Sequence, residues 1–218
     1  MSADPGQTAS PDETATRPAA SGPPPWIADS PLLAHAYGLA EAAHREQQRA
    51  TDGRPFIDHV TEVAGLLHEA AFDEELVAVG LLHDTVERGT LSEEELRGEV
   101  NESISSLVLA RTEDPTIESF GDRKTALREQ VRAAGGRAVI VFAADKLSDI
   151  LGLRRGVQTF GDSVEDRMAT SINSMAGHYR ESVELIASER PSSAFLPALR
   201  LELERLESES PPADGRPA

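Results

Sequence analysis

The chain is 218 residues long, carries a formal net charge of −17 and contains no cysteine; that length suits one domain with a sizeable core. Apolar residues make up 39% and aromatic residues only 4%, a balance that favours a helical globule over a β-sandwich. The missing cysteines exclude disulfides, thiolate zinc sites and cysteine nucleophiles, and the acidity argues against a nucleic-acid scaffold or an anionic membrane surface, because phosphate neutralisation needs a Lys/Arg surplus.

Residues 1–29 are dominated by Pro, Ala, Ser, Thr and Gly with scattered acids. Such a composition buries too little to offset the entropy of ordering, so it reads as a disordered tail, and the Trp26 and Pro-rich run reads as punctuation within it. It has no basic segment followed by an apolar one, which excludes a signal peptide. No run approaches the roughly 18 apolar residues that span a bilayer, and a cytoplasmic chain is expected. Residues 208–218 read as a second tail. The body, residues 30–207, is helical almost throughout. Leu32–Gln48 is alanine-rich with helix-period apolar positions, and Gly53 and Pro55 make Thr51–Phe56 a loop. His59–Ala71 places Val63, Leu66, Leu67 and Ala70 on one stripe, and Glu74–Thr85 is apolar on most sides, as a buried central helix is. Ser92 with Glu95 is a capping box opening a helix through Leu109. Arg123–Ala134 is a polar-faced helix ended by Gly135-Gly136, whereas AVIVFAA within Arg137–Leu153 fits strand or buried helix equally. Val164–Glu189 and Ser193–Glu207 close the body as two helices around Pro191. The fold class is all-α, a bundle of eight or so helices.

The chemistry concentrates in His59, His83-Asp84 and Asp145, each on an apolar element. Buried aspartates are costly unless paired or bound to a metal, and two imidazoles with two carboxylates suit a divalent ion of intermediate hardness. Glu87, four residues after His83, falls on the same helix face and can serve as a base beside metal-bound water. Asp149, four after Asp145, repeats that spacing. Arg123, Lys124, Arg154 and Arg155 read as exposed helix-face charges rather than an anion-binding rim. His35, His68 and His178 read as ordinary structural or surface histidines.

The motifs AHREQ (43–47), GRPFIDHV (53–60), GLLHDTVER (80–88) and AADKLSDILGLR (143–154) resemble, in order and spacing, those of the HD-domain alarmone hydrolases. That family comprises the hydrolase half of Rel/SpoT proteins and the small alarmone hydrolases. The resemblance covers residues 33–206 and implies an HD-domain helical bundle. It implies one divalent ion, typically Mn2+, held by His59, His83, Asp84 and Asp145, with Glu87 acting on water. It implies Arg49 as a base-stacking residue and Arg167, in VEDR (164–167), as a phosphate contact. The implied reaction removes the 3′-pyrophosphate of ppGpp or pppGpp. A small nucleotide is the expected partner, with neither nucleic acid nor membrane.

The chain departs from the family pattern at four places. Arg88 stands where the family has Asp, Asp149 where it has Asn, Phe56 where it has Tyr, and Glu46 where it has Gly. The four metal positions are kept, while the altered ones belong to the water-handling and nucleotide-facing surroundings, so Arg88 and Asp149 join Glu87 as candidate catalytic positions. The substitutions open two alternatives: another nucleotide phosphohydrolase, of 5′-nucleotidase or NADPH phosphatase type, or a binder of metal and nucleotide that no longer turns over.

Overall fold

A computed structural model describes residues 22–88 and 91–209. Among these residues the only backbone pairing outside helices and turns is an isolated bridge between Gln48 and Pro55, so the all-α reading holds. Ten α-helices run in order: α1 Pro25–Ala28, α2 Pro31–His44, α3 Phe56–Glu69, α4 Glu74–Leu82, α5 Glu93–Glu99, α6 Glu102–Leu109, α7 Phe120–Ala134, α8 Gly136–Phe160, α9 Ile172–Glu189 and α10 Leu196–Glu209. A 3-10 helix, Gly161–Arg167, lies between α8 and α9.

The ambiguous AVIVFAA run is helix. It sits in the first half of the 25-residue α8, whose residues 138–148 are all buried. A helix apolar all round belongs in the centre of a bundle, and α8 packs against α3, α4, α7, α9 and α10. Helix α4 is the second buried element, with Leu76–Leu82 inaccessible from every side. It lies close on α3 because position 80 is glycine: a Cβ there would meet Leu67 Cδ1 at 2.8 Å and the Ala64 backbone at 3.1 Å.

Five expectations are corrected. The stretch read as tail up to residue 29 is structured from position 25. Pro25 supplies the fixed φ of a first helical position, Ile27 is fully buried, and Trp26 stacks on His68 with centroids 4.6 Å apart. At the other end α10 runs to Glu209, past 207; residues 1–21 and 210–218 of the expected tails lie outside the described residues. The helix from Ser92 through Leu109 is two helices. Val100 is extended, and Asn101 starts α6 afresh by accepting from Ile104 N at 2.9 Å. The helix from Val164 to Glu189 is also divided, the 3-10 helix ending at Arg167 and Ser171 capping α9. Finally, α4 ends at Leu82, so His83-Asp84 and Glu87 lie in hydrogen-bonded turns and not on a continuing helix face.

Candidate metal centre

Three elements deliver the four candidate ligands. His59 comes from the first turn of α3, His83 and Asp84 from the turn that ends α4, and Asp145 from the middle of α8. His59 Nε2 lies 3.2 Å from His83 Nε2. Asp145 Oδ1 lies 3.3 Å from the first and 3.4 Å from the second. Asp84 closes the group, with Oδ1 3.4 Å from His83 Nε2 and Oδ2 3.8 Å from His59 Nε2. Ligand atoms held about 2.0–2.2 Å from one ion stand about 3.0–3.6 Å apart, which is the spacing of His59, His83 and Asp145, while Asp84 lies just outside it on the His59 side. His59, His83 and Asp145 in particular can bring one ligand atom each within 4.8 Å of the others.

The opposite edges of the two rings show that the Nε2 atoms are turned inward as acceptors. His83 Nδ1 is 2.8 Å from the Gly80 carbonyl, which only accepts, so Nδ1 carries the proton. His59 Nδ1 is 2.9 Å from Ser148 Oγ, whose own proton goes to Glu62 Oε2 at 2.6 Å, so Nδ1 donates there as well. Two imidazole lone pairs and two buried carboxylates facing one point repel each other unless a cation stands between them. Without one, protons serve: burial disfavours the His83 cation, yet Asp84 and Asp145 raise its pKa. The donor set fits a divalent ion, which would displace that proton.

Asp145 divides its two oxygens. Oδ1 faces the imidazoles, while Oδ2 is held by Arg111 Nη2 at 2.6 Å and Lys146 Nζ at 3.0 Å. Burial opposes the Asp145 charge, but these two cations hold its pKa well below the ordinary carboxylate value. Arg111 was missed in the sequence, although a signal existed. With Ile104, Leu107 and Val108 it completes an i, i+3, i+4, i+7 stripe, an arginine on the buried face of α6 extended by one turn. Its Nε and Nη1 are buried without hydrogen-bond partners.

Glu87 sits beside this centre, with Oε2 accepting from Glu113 N at 3.3 Å. Burial, then the charges of Asp84 and Glu113, push its carboxyl up to about 7. A cavity of about 550 Å³ opens there, lined by Val86, Glu87, Thr112, Glu113, Pro115 and Arg123. Arg88 lies over the Phe56 ring at 4.7 Å, with Nε 3.8 Å from Asp84 Oδ2 and its side chain 47% exposed. The charge of Asp149 is compensated: Lys146 Nζ is 2.7 Å and Arg49 Nη2 3.4 Å away. Arg49 is turned inward, 6% exposed, donating also to the Ser148 carbonyl at 3.3 Å, which ties the 45–55 loop to α8 and is not the posture of an exposed stacking platform. Arg167 is exposed, stacks over Phe160 at 4.5 Å and donates to Ala50 O at 3.0 Å, on the same loop. The expected exposed charges are ion-paired: Arg123 and Lys124 with Glu113, Arg154 with Glu202 and Glu209, Arg155 with Asp52 and Glu62.

A family model described as an HD domain matches residues 36–166, which span all four candidate ligands. The chain belongs to the HD-domain family. A guanosine-3′,5′-bis(diphosphate) 3′-pyrophosphohydrolase of Xenopus tropicalis, MESH1, is 31% identical over 130 residues, covering 58% of this chain and 72% of that protein. A GTP pyrophosphokinase of Myxococcus xanthus is 32% identical over 123 residues, which are 56% of this chain but only 16% of that much longer protein. Among solved structures, a metazoan ortholog of SpoT described as hydrolysing ppGpp superposes with a TM-score of 0.64 at 26% identity, covering 83% of this chain and 96% of that one. No helix among the described residues is long and apolar enough to cross a membrane.

Proposed function

We propose that this HD-domain chain is a metal-dependent nucleotide phosphohydrolase that removes the 3′-pyrophosphate of ppGpp or pppGpp. The observation that carries the reading is the convergence of His59, His83 and Asp145, with Asp84 against both imidazoles, beside a carboxyl whose pKa is pushed up to about 7 and a cavity able to admit a substrate. Relatives in the family are named for hydrolysis of guanosine-3′,5′-bis(diphosphate), which supports the substrate class.

In this reading the four residues hold one divalent ion, Mn2+ by family likeness, which supplies Lewis-acid polarisation of water and of phosphoryl oxygens. Glu87 accepts the proton of the attacking water, its raised pKa keeping it near the working pH of a general base. Arg88, half exposed at the edge of the site, and Arg167, exposed beside the 45–55 loop, orient phosphate groups. Arg111 and Lys146 offset Asp145 and Arg88 faces Asp84, so a polyanion approaches a site whose carboxylates are balanced by cations. Asp149, already paired with Lys146 and Arg49, presents no free charge to repel it, which favours turnover over the degenerate-binder alternative. The substrate is a small nucleotide and not nucleic acid or membrane, and the compartment we assign is the cytoplasm.

The test is release of pyrophosphate and phosphate by the full chain with Mn2+, across ppGpp, pppGpp, NADPH and common nucleotides, beside a His83→Ala control. Pyrophosphate from ppGpp that is lost in the control supports the proposal. Turnover of NADPH or of a common nucleotide alone would replace it with a respecialised phosphohydrolase, and metal uptake without any turnover would replace it with a binding protein.

A further inference from the structure

The two histidines of the metal centre are anchored differently. His83 leans on a backbone carbonyl, that of Gly80. His59 leans on a side-chain chain of contacts: its Nδ1 donates to Ser148 Oγ at 2.9 Å, Ser148 donates to Glu62 Oε2 at 2.6 Å, and Arg155 grips both Glu62 oxygens at 3.1 and 3.2 Å. Arg155 Nε in turn donates to Asp52 Oδ2 at 3.1 Å, in the 45–55 loop.

Resting on the reading of this centre as a metal site, we propose that Ser148 and Glu62 are positioning residues that hold His59 with its Nε2 lone pair aimed at the point shared with His83 and Asp145. Three features carry this. First, a serine inside a helix ordinarily returns its hydroxyl proton to a carbonyl one turn back; Ser148, wholly buried within α8, sends it across to α3 instead. Second, the carboxylate end makes the hydroxyl a committed donor, which leaves its lone pair for His59 and fixes the tautomer that a metal ligand needs. Third, Glu62 is itself kept ionised: burial opposes its charge, but Arg155 and the Ser148 hydroxyl bring its pKa below the ordinary value. The same carboxylate therefore serves His59 on one side and the loop on the other.

The experiment is a double-mutant cycle read as Mn2+ affinity of the full chain by calorimetric titration, without nucleotide. Ser148→Ala leaves the buried Nδ1–H of His59 without an acceptor, and affinity is expected to fall about 10–100-fold, the range typical for partners that orient metal-bound histidines. Glu62→Gln is expected to fall in the same direction. The double variant is expected to bind no more weakly than Ser148→Ala alone, because Glu62 reaches His59 only through the hydroxyl. Ile27→Ala, a core change in α1, should lower stability with unchanged affinity, which separates positioning from general loosening. Wild-type affinity in Ser148→Ala, or losses that multiply in the double variant, overturns the relay while leaving the metal reading intact. Should Ser148→Ala fail to fold, unchanged affinity in Glu62→Gln, whose side chain is 27% exposed, overturns it equally. A wild-type chain that binds no divalent ion at all overturns both.

Discussion

Replacing Gly156 with alanine is expected to destabilise the protein, although alanine is the better helix former. Gly156 lies inside α8, where the exchange on its own favours folding by about 1 kcal/mol. The tertiary structure reverses the sign. An added Cβ would stand 2.9 Å from the Thr51 carbonyl carbon and 3.0 Å from Val164 Cγ2, with the Thr51 oxygen closer still, all inside the 3.4 Å at which ordinary contact begins. The obstacle is backbone, so no side-chain rotation relieves it and the 45–55 loop must lift off α8. Overpacking of this kind costs about 3 kcal/mol, the upper end of the usual range. The net loss of about 2 kcal/mol lowers the melting temperature by about 4–8 °C for a domain of this size. The assay is thermal unfolding beside Gly38→Ala as a matched control. Gly38 sits in α2 with nothing within 4 Å of its Cβ direction, so there the propensity gain stands alone and melting rises by about 2–4 °C. If Gly156→Ala melts at or above wild type, the close packing of the loop on α8 is wrong.

Three further outcomes follow from particular contacts. Ile27→Ala, in a segment that composition alone assigns to a tail, should cost about 3 kcal/mol because the side chain is fully buried; an unchanged melting curve would return α1 to the tail. His83→Ala and Asp145→Asn should each abolish stoichiometric uptake of a divalent metal, measured by elemental analysis after dialysis, while the helical circular dichroism persists. In the presence of a chelator, the Glu87 carboxyl, raised from 4.5 to about 7, binds its proton more tightly in the native than in the unfolded chain. Stability therefore falls as pH rises through that window. Glu87→Gln should flatten the slope between about pH 4.5 and 7 in chelator-treated denaturant titrations; an unaltered slope would refute the burial and like-charge environment assigned to Glu87.

Much of the site was legible because metal ligands are few in kind and sit in short motifs. His59, His83, Asp84 and Asp145 are recognisable one by one on apolar stretches, and the structure brings all four together. The helical class was equally open to reading, since caps such as Ser92 with Glu95 and apolar periodicity report on neighbours three and four residues away. The places where the reading fell short have two physical causes. The break at Asn101 depends on a side chain competing for the helix backbone, and the end of α4 on the His83 ring bonding to Gly80. Both are local but are decided by geometry that periodicity does not encode. Trp26 and Ile27 escaped because average composition hides two apolar residues in a polar stretch, whereas folding needs only a cavity of the right shape for them.

Residue types and their spacing along the chain determined the all-α class and pointed to the candidate ligands and to the carboxylate proposed to act beside them. Tertiary structure alone decided which charges face which. Arg111 meets Asp145 from 34 positions away, Ser148 meets His59 from 89, and Arg49 meets Asp149 from 100. A charged side chain in a sequence is equally fit for solvent, an ion pair or a substrate. Only the burial created when distant helices pack makes pairing compulsory and so assigns each charge its partner.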